Sequence, residues 1–103
     1  MGIDAVIGEA RRVVGEEPTY ISFDIDALDP AYAPGTGTPE FAGLTSREVI
    51  RMLRGLRDLN LVGADVVEVS PPFDPSGGTA LAAANIAFEL LCLLAEAVAK
   101  RKN

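Results

Sequence analysis

Between residues 3 and 14 the apolar positions Ile3, Val6, Ile7, Ala10, Val13 and Val14 recur every three or four residues, with Asp4, Glu9, Arg11 and Arg12 between them. That spacing predicts an amphipathic helix ending near Gly15. Thr19 to Phe23, rich in β-branched and aromatic residues, predicts a short strand. Ala27 to Gly43 carries Pro30, Pro34, Pro39, Gly35, Gly37 and Gly43, and predicts a long loop of the kind that is more often functional than idle. Thr45-Ser46-Arg47-Glu48 then reads as a capping box, in which Thr45 accepts from the Glu48 amide and Glu48 reaches back. Val49, Ile50, Leu53 and Leu56 share one face of the helix that follows. Leu61 to Ser70 predicts a second strand centred on Val66, Val67 and Val69. After PPFDPSGG a last helix begins at about Thr79 and stays apolar almost all round from Ala80 to Ala99. Asn85, Glu89, Glu96 and Lys100 interrupt it, which favours a buried helix over a membrane span.

The predicted order is therefore helix, strand, helix, strand, helix, an α/β chain whose strand–helix–strand unit implies a parallel crossover. Two parallel strands leave both outer edges open, and parallel sheets are stable mainly when wide and covered on both faces. The nearly all-apolar last helix also calls for more partner surface than two strands offer. One end of a larger α/β domain is expected.

Composition narrows the function classes. With 9 Lys plus Arg against 15 Asp plus Glu, the net charge is −6, which argues against nucleic acid or an anionic membrane as partner. Cys92 is the one cysteine, so no intrachain disulfide forms; a reducing, cytoplasmic setting is expected. The MGIDAVIGEARR start has scattered charge and does not read as a signal peptide. There is no histidine. A serine or cysteine nucleophile would lack its usual imidazole base, and a metal site built by this chain alone would use carboxylates and carbonyls.

The segment YISFDIDALDP places Asp24, Asp26 and Asp29 directly after the first strand. Alternate strand residues share a face, so Asp24 and Asp26 are expected to point the same way, roughly 6.6 Å apart at ~3.3 Å per residue. Such a pair suits the grip of one metal ion or of a close pair of ions. Glu68 is expected inside the second strand near the same edge, and functional crevices of parallel sheets lie at that edge. An Asp just past a strand is also a common turn former or helix cap, and on residues alone both readings stand. Asp29 before Pro30 is read as a turn residue orienting the loop, Asp65 as a solvated or loop-facing acid, and Asp74 as a turn residue. A calcium loop of the EF-hand kind fails, since its sixth and twelfth positions counted from Asp24 hold Asp29 and Gly35. A phosphotransferase of the haloacid dehalogenase type also places D-x-D after a strand, but Ala27-Leu28 stands where a Gly-Thr or similar hydroxyl residue would follow.

SFDIDALDP, APGTGTPE, AGLTSRE and VVEVSPPFDP together resemble the ureohydrolases, the family of agmatinase, arginase and related amidinohydrolases. The resemblance runs from about Gly2 to Ala97. Its S-F-D-x-D-x-x-D-P signature is far more specific than a lone D-x-D, and SPPFDP and APGTGTPE are most similar to the agmatinase branch. It implies the C-terminal part of a three-layer, parallel-sheet, arginase-like fold, with all 103 residues inside one ureohydrolase domain. It also implies manganese-dependent hydrolysis of a guanidino compound, agmatine above all, to an amine and urea, by attack of a bridging hydroxide on the guanidinium carbon. On this pattern Asp24 matches the carboxylate bridging two Mn2+ ions and Asp26 the one binding a single ion. Glu68 resembles the acid that grips the guanidinium, and Thr38 is a candidate pocket contact.

The family's upstream G-G-D-H-S and D-A-H-x-D segments are not in this sequence. The expectation is a partial site, inactive alone, with a complementing N-terminal portion or a second copy as partner. The alternative is a non-catalytic α/β association module or truncated pseudo-enzyme.

Overall fold

The computed structural model describes residues 2–29, 32–36 and 43–102. The elements follow the expected order: α1 (Ile3–Val14), β1 (Thr19–Asp24), α2 (Ser46–Arg54), β2 (Leu61–Val67) and α3 (Gly78–Lys102), with 3-10 turns at Ile25–Ala27 and Pro71–Phe73. β1 and β2 pair in parallel, from Thr19 opposite Leu61 to Asp24 opposite Val67.

The helix ends obey the letters. α1 stops at Gly15, whose φ of 54° is open to glycine, and whose amide donates to the Arg11 carbonyl. α2 starts on the expected capping box: the Glu48 amide donates to Thr45 Oγ1 at 3.1 Å, and the Thr45 amide to Glu48 Oε1 at 3.0 Å. Thr45→Ala removes the acceptor for one otherwise orphaned amide and should cost about 1 kcal/mol. A lowered urea midpoint at constant slope is the expected reading; an unmoved midpoint would mean that the cap contributes nothing.

Strand alternation sends Ile21 and Phe23 against the core and leaves Tyr20, Ser22 and Asp24 on the open face. The core joins Ile25 and Leu28 after β1, Val49 and Leu53 of α2, Leu61 of β2, and Ile86, Leu90, Leu93 and Ala97 of α3. Those last four residues recur at three- and four-residue steps and bury one stripe of α3 against β2 and α2. The expectation that α3 is buried holds for that stripe only. Leu81, Phe88 and Leu91 are each about two-thirds exposed on its other sides. By length and composition Gly78–Arg101 could cross a membrane, a test that the core helix of a soluble protein also passes. Arg54 pairs with Glu89 (2.8 Å) and Arg57 with Glu96 (3.0 Å), tying α2 and the turn after it to this helix. The Arg54 guanidinium holds the Glu89 carboxyl below its ordinary range.

Candidate functional site

β1 and β2 end together. Asp24 is the last residue of β1, its register partner Val67 is the last of β2, and Glu68 follows at once. The three acids Asp24, Asp26 and Glu68 therefore come at the carboxyl ends of two neighbouring parallel strands, where ligands of parallel sheets bind.

Two details differ from the sequence expectation. The strand alternation does not continue to Asp26. The chain leaves the strand at Asp24 and turns through Ile25–Ala27, because Asp24 Oδ1 captures the Asp26 amide at 2.8 Å and caps the 3-10 turn. Asp26 sits half-buried in that turn, with its Oδ1 shut off from solvent. Asp24 thus performs the turn-forming role with one oxygen, and among the described residues its Oδ2 makes no hydrogen bond or ion pair.

Glu68, in turn, is not inside β2 but just beyond it, exposed, with φ at +73°. A left-handed backbone at a glutamate costs about 1–3 kcal/mol and persists only where the surroundings enforce it. Among the described residues Glu68 forms no hydrogen bond or ion pair. Thr38 lies outside the described residues.

Neighbouring acids have structural duties. Asp29 anchors the loop, accepting at Oδ2 from the Gly43 amide (3.2 Å) and at its carbonyl from the Tyr32 and Ala33 amides. Asp65 is partly exposed, as a solvated acid would be, but it is ordered by partners on the neighbouring strand. It lies in β2 and accepts from Tyr20 Oη (2.9 Å) and Ser22 Oγ (2.7 Å), clasping the two strands on the face that carries Asp24.

Asp74 is more than a turn residue. Its Oδ1 accepts from the Thr79 amide and its Oδ2 from the Ala80 amide, both at 3.0 Å, so it seats the start of α3. Those two N–H groups hold its carboxyl below the usual range. A carboxyl depressed in the folded state stabilises fully above its unfolded pKa, and loses that contribution as pH falls through the folded value. Melting of Asp74→Asn against the parent is expected to show its widest gap at about pH 7 and a narrowing gap toward about pH 3. A gap constant with pH would remove the charge from the explanation.

Gly35 and Thr79 are not visible as a pair in the sequence. Thr79 is fully buried, and its Oγ1 accepts from the Gly35 amide at 2.7 Å. A cavity of about 450 Å³ lies between α2 and the first turns of α3, lined by Leu28, Tyr32, Val49, Ile50, Leu81 and Phe88 among others. Asp24, Asp26 and Glu68 do not line it, so its apolar walls are separate from the carboxylate edge.

The donors fit a hard divalent cation in kind, since carboxylate oxygens suit manganese, magnesium or calcium. In number they fall short of a closed site. Among the described residues no group of three His, Cys, Asp or Glu side chains is placed to hold an ion.

Residues 1–93 match the arginase family. The chain belongs to that family, the ureohydrolases. It is 65% identical over 100 residues to the guanidinopropionase of Pseudomonas aeruginosa, covering 97% of this chain and 31% of that protein. It is 63% identical over 89 residues to the human mitochondrial guanidino acid hydrolase, covering 86% of this chain and 25% of that protein. The crystal structure of a hypothetical agmatinase from Burkholderia thailandensis superposes with a TM-score of 0.85 at 53% identity, over 90% of this chain and 29% of that one. The sequence thus spans about a third or less of the length of these relatives, and its element order matches part of the arginase fold.

Proposed function

We propose that this chain is the C-terminal portion of a ureohydrolase domain and that it supplies carboxylates to a manganese site for hydrolysing a linear guanidino compound to an amine and urea, with agmatine the first substrate to test. The observation that carries this reading is the common end of β1 and β2, where Asp24 pairs with Val67 and Glu68 follows. Asp24 would bridge a pair of ions and Asp26 would hold one of them, with histidine ligands coming from an upstream segment bearing G-G-D-H-S and D-A-H-x-D. The metal, when bound, lowers the pKa of water and holds the nucleophile. Glu68 offers an exposed carboxylate to which a planar guanidinium can donate two parallel N–H bonds. Thr38 would line the same pocket.

Relatives named guanidinopropionase and guanidino acid hydrolase make guanidino acids the second substrate class to test beside agmatine. The test is urea release with manganese, using the chain combined with the upstream segment, on agmatine, guanidinopropionate and other guanidino acids. Urea from agmatine is expected. Urea from guanidino acids alone would keep the reaction and replace the substrate, whereas urea from none would sink the proposal. Turnover by the isolated chain would contradict the partial-site reading.

Leu81, Phe88 and Leu91 on α3 support burial against further protein, either the upstream portion or a second copy. A monomeric mass for the chain that unfolds sharply on heating would count against association.

A further inference from the structure

The loop before α2 and the loop after β2 meet at one glycine. Glu68 stands between two anchors: Val67 in the strand ladder before it, and Ser70 after it, whose amide donates to the Gly35 carbonyl at 2.7 Å. Gly35 is itself fixed from the other side by its amide, bonded to the buried Thr79 Oγ1 at 2.7 Å. The approach is so close that a Cβ on Gly35 would lie 2.4 Å from Asp74 Cβ and 2.8 Å from Thr79 Oγ1. Asp74 holds Thr79 in turn through the Thr79 and Ala80 amides. A continuous line of short contacts thus runs from the start of α3 through Gly35 to Ser70, two residues beyond the left-handed Glu68.

We propose that Thr79, held by Asp74, is a positioning residue for Glu68: it sets the direction of the guanidinium-binding carboxylate by fixing Gly35 and, through it, Ser70. This deepens the function proposed above and rests on the substrate-gripping role given there to Glu68. A strained backbone needs such external definition, and β2 supplies it on one side only. The buried hydroxyl supplies the other. Thr79→Val keeps the side chain's shape and removes the acceptor, while Thr79→Ser keeps the oxygen.

In the manganese-loaded combination of chain and upstream segment, Thr79→Val is expected to raise KM for the guanidino substrate about tenfold with kcat within about twofold, the mark of lost binding shared by ground and transition states. Both proteins are assayed well below their melting temperatures, and Thr79→Ser is expected to restore KM. An unchanged KM in Thr79→Val, or an equal rise in both variants, would overturn the proposal. Absence of urea from the parent combination would instead count against the proposed function. The coupling is then read from amide hydrogen exchange in the chain: Thr79→Val, but not Thr79→Ser, should lose protection at Ser70 as well as at Gly35. Protection kept at Ser70 in Thr79→Val would overturn the coupling.

Discussion

Asp24→Asn, made in the manganese-loaded combination of this chain with the proposed upstream segment, is expected to lower urea release by more than about 100-fold, beyond the 10–100-fold that loss of an outer partner of a metal ligand costs. The change removes one negative charge from a group whose proposed task is to hold two cations. It leaves an oxygen that can still accept from the Asp26 amide, the bond that caps the Ile25–Ala27 turn. Folding should therefore be spared while chemistry is lost. A circular dichroism melt shared with the parent and urea release cut to background is the expected pair of results. Activity within a few-fold of the parent would assign Asp24 to the turn alone.

The second large effect is on stability. Gly43→Ala would place a Cβ 2.7 Å from the Asp29 amide nitrogen, 2.9 Å from the Leu28 carbonyl carbon and 3.0 Å from the Ala27 oxygen. All three are backbone atoms, so no side chain can swing away. They also belong to the segment that Gly43 and Leu44 hold: Leu44 donates to the Ala27 carbonyl at 2.8 Å and accepts from the Asp29 amide at 2.9 Å. Overpacking of this kind typically costs about 1–3 kcal/mol, and backbone at all three nearest contacts puts Gly43→Ala at about 3 kcal/mol. Gly8→Ala on α1 is the contrast: a Cβ there meets nothing within 4 Å, and exchanging a helical glycine for alanine should stabilise by about 0.5–1 kcal/mol. Denaturant midpoints of the two variants moving in opposite directions are expected. Equal midpoints would show that the 27–29 turn gives way without cost.

Local chemistry made much of this fold legible. The apolar spacing of α1 and the Thr45–Glu48 capping box each depend on residues a few positions apart, and each stands in the structure; the second strand stands too, but Val66 and Val67 are its end rather than its centre and Val69 lies beyond it. The strand ends did not follow, because they depend on backbone choices that the letters only permit. Nothing in VVEVS announces that Glu68 turns left-handed and stops β2 at Val67 rather than Ser70. The alternation stops past Asp24 for a related reason, since an aspartate that can cap a turn competes with the strand for its own backbone.

In the site, the types and order of the acids were readable, and their gathering at one edge followed from the parallel pairing. The supporting contacts were not readable. Thr79 meets Gly35 across 44 residues of chain, and Tyr20 meets Asp65 across 45, so neither pair leaves a local pattern. Why carboxylates follow a strand has a double answer at Asp24: one oxygen builds the turn, and the other is proposed to serve the metal.

Manganese retention tests that answer most directly. The isolated chain, the combination with its upstream segment, and the same combination carrying Asp24→Asn are loaded with manganese, passed through gel filtration and assayed for bound metal. A pair of ions per site is expected in the parent combination, with stoichiometric retention lost in the isolated chain and in Asp24→Asn. A full pair held by the isolated chain, or kept undiminished by Asp24→Asn, would contradict a partial metal site centred on Asp24.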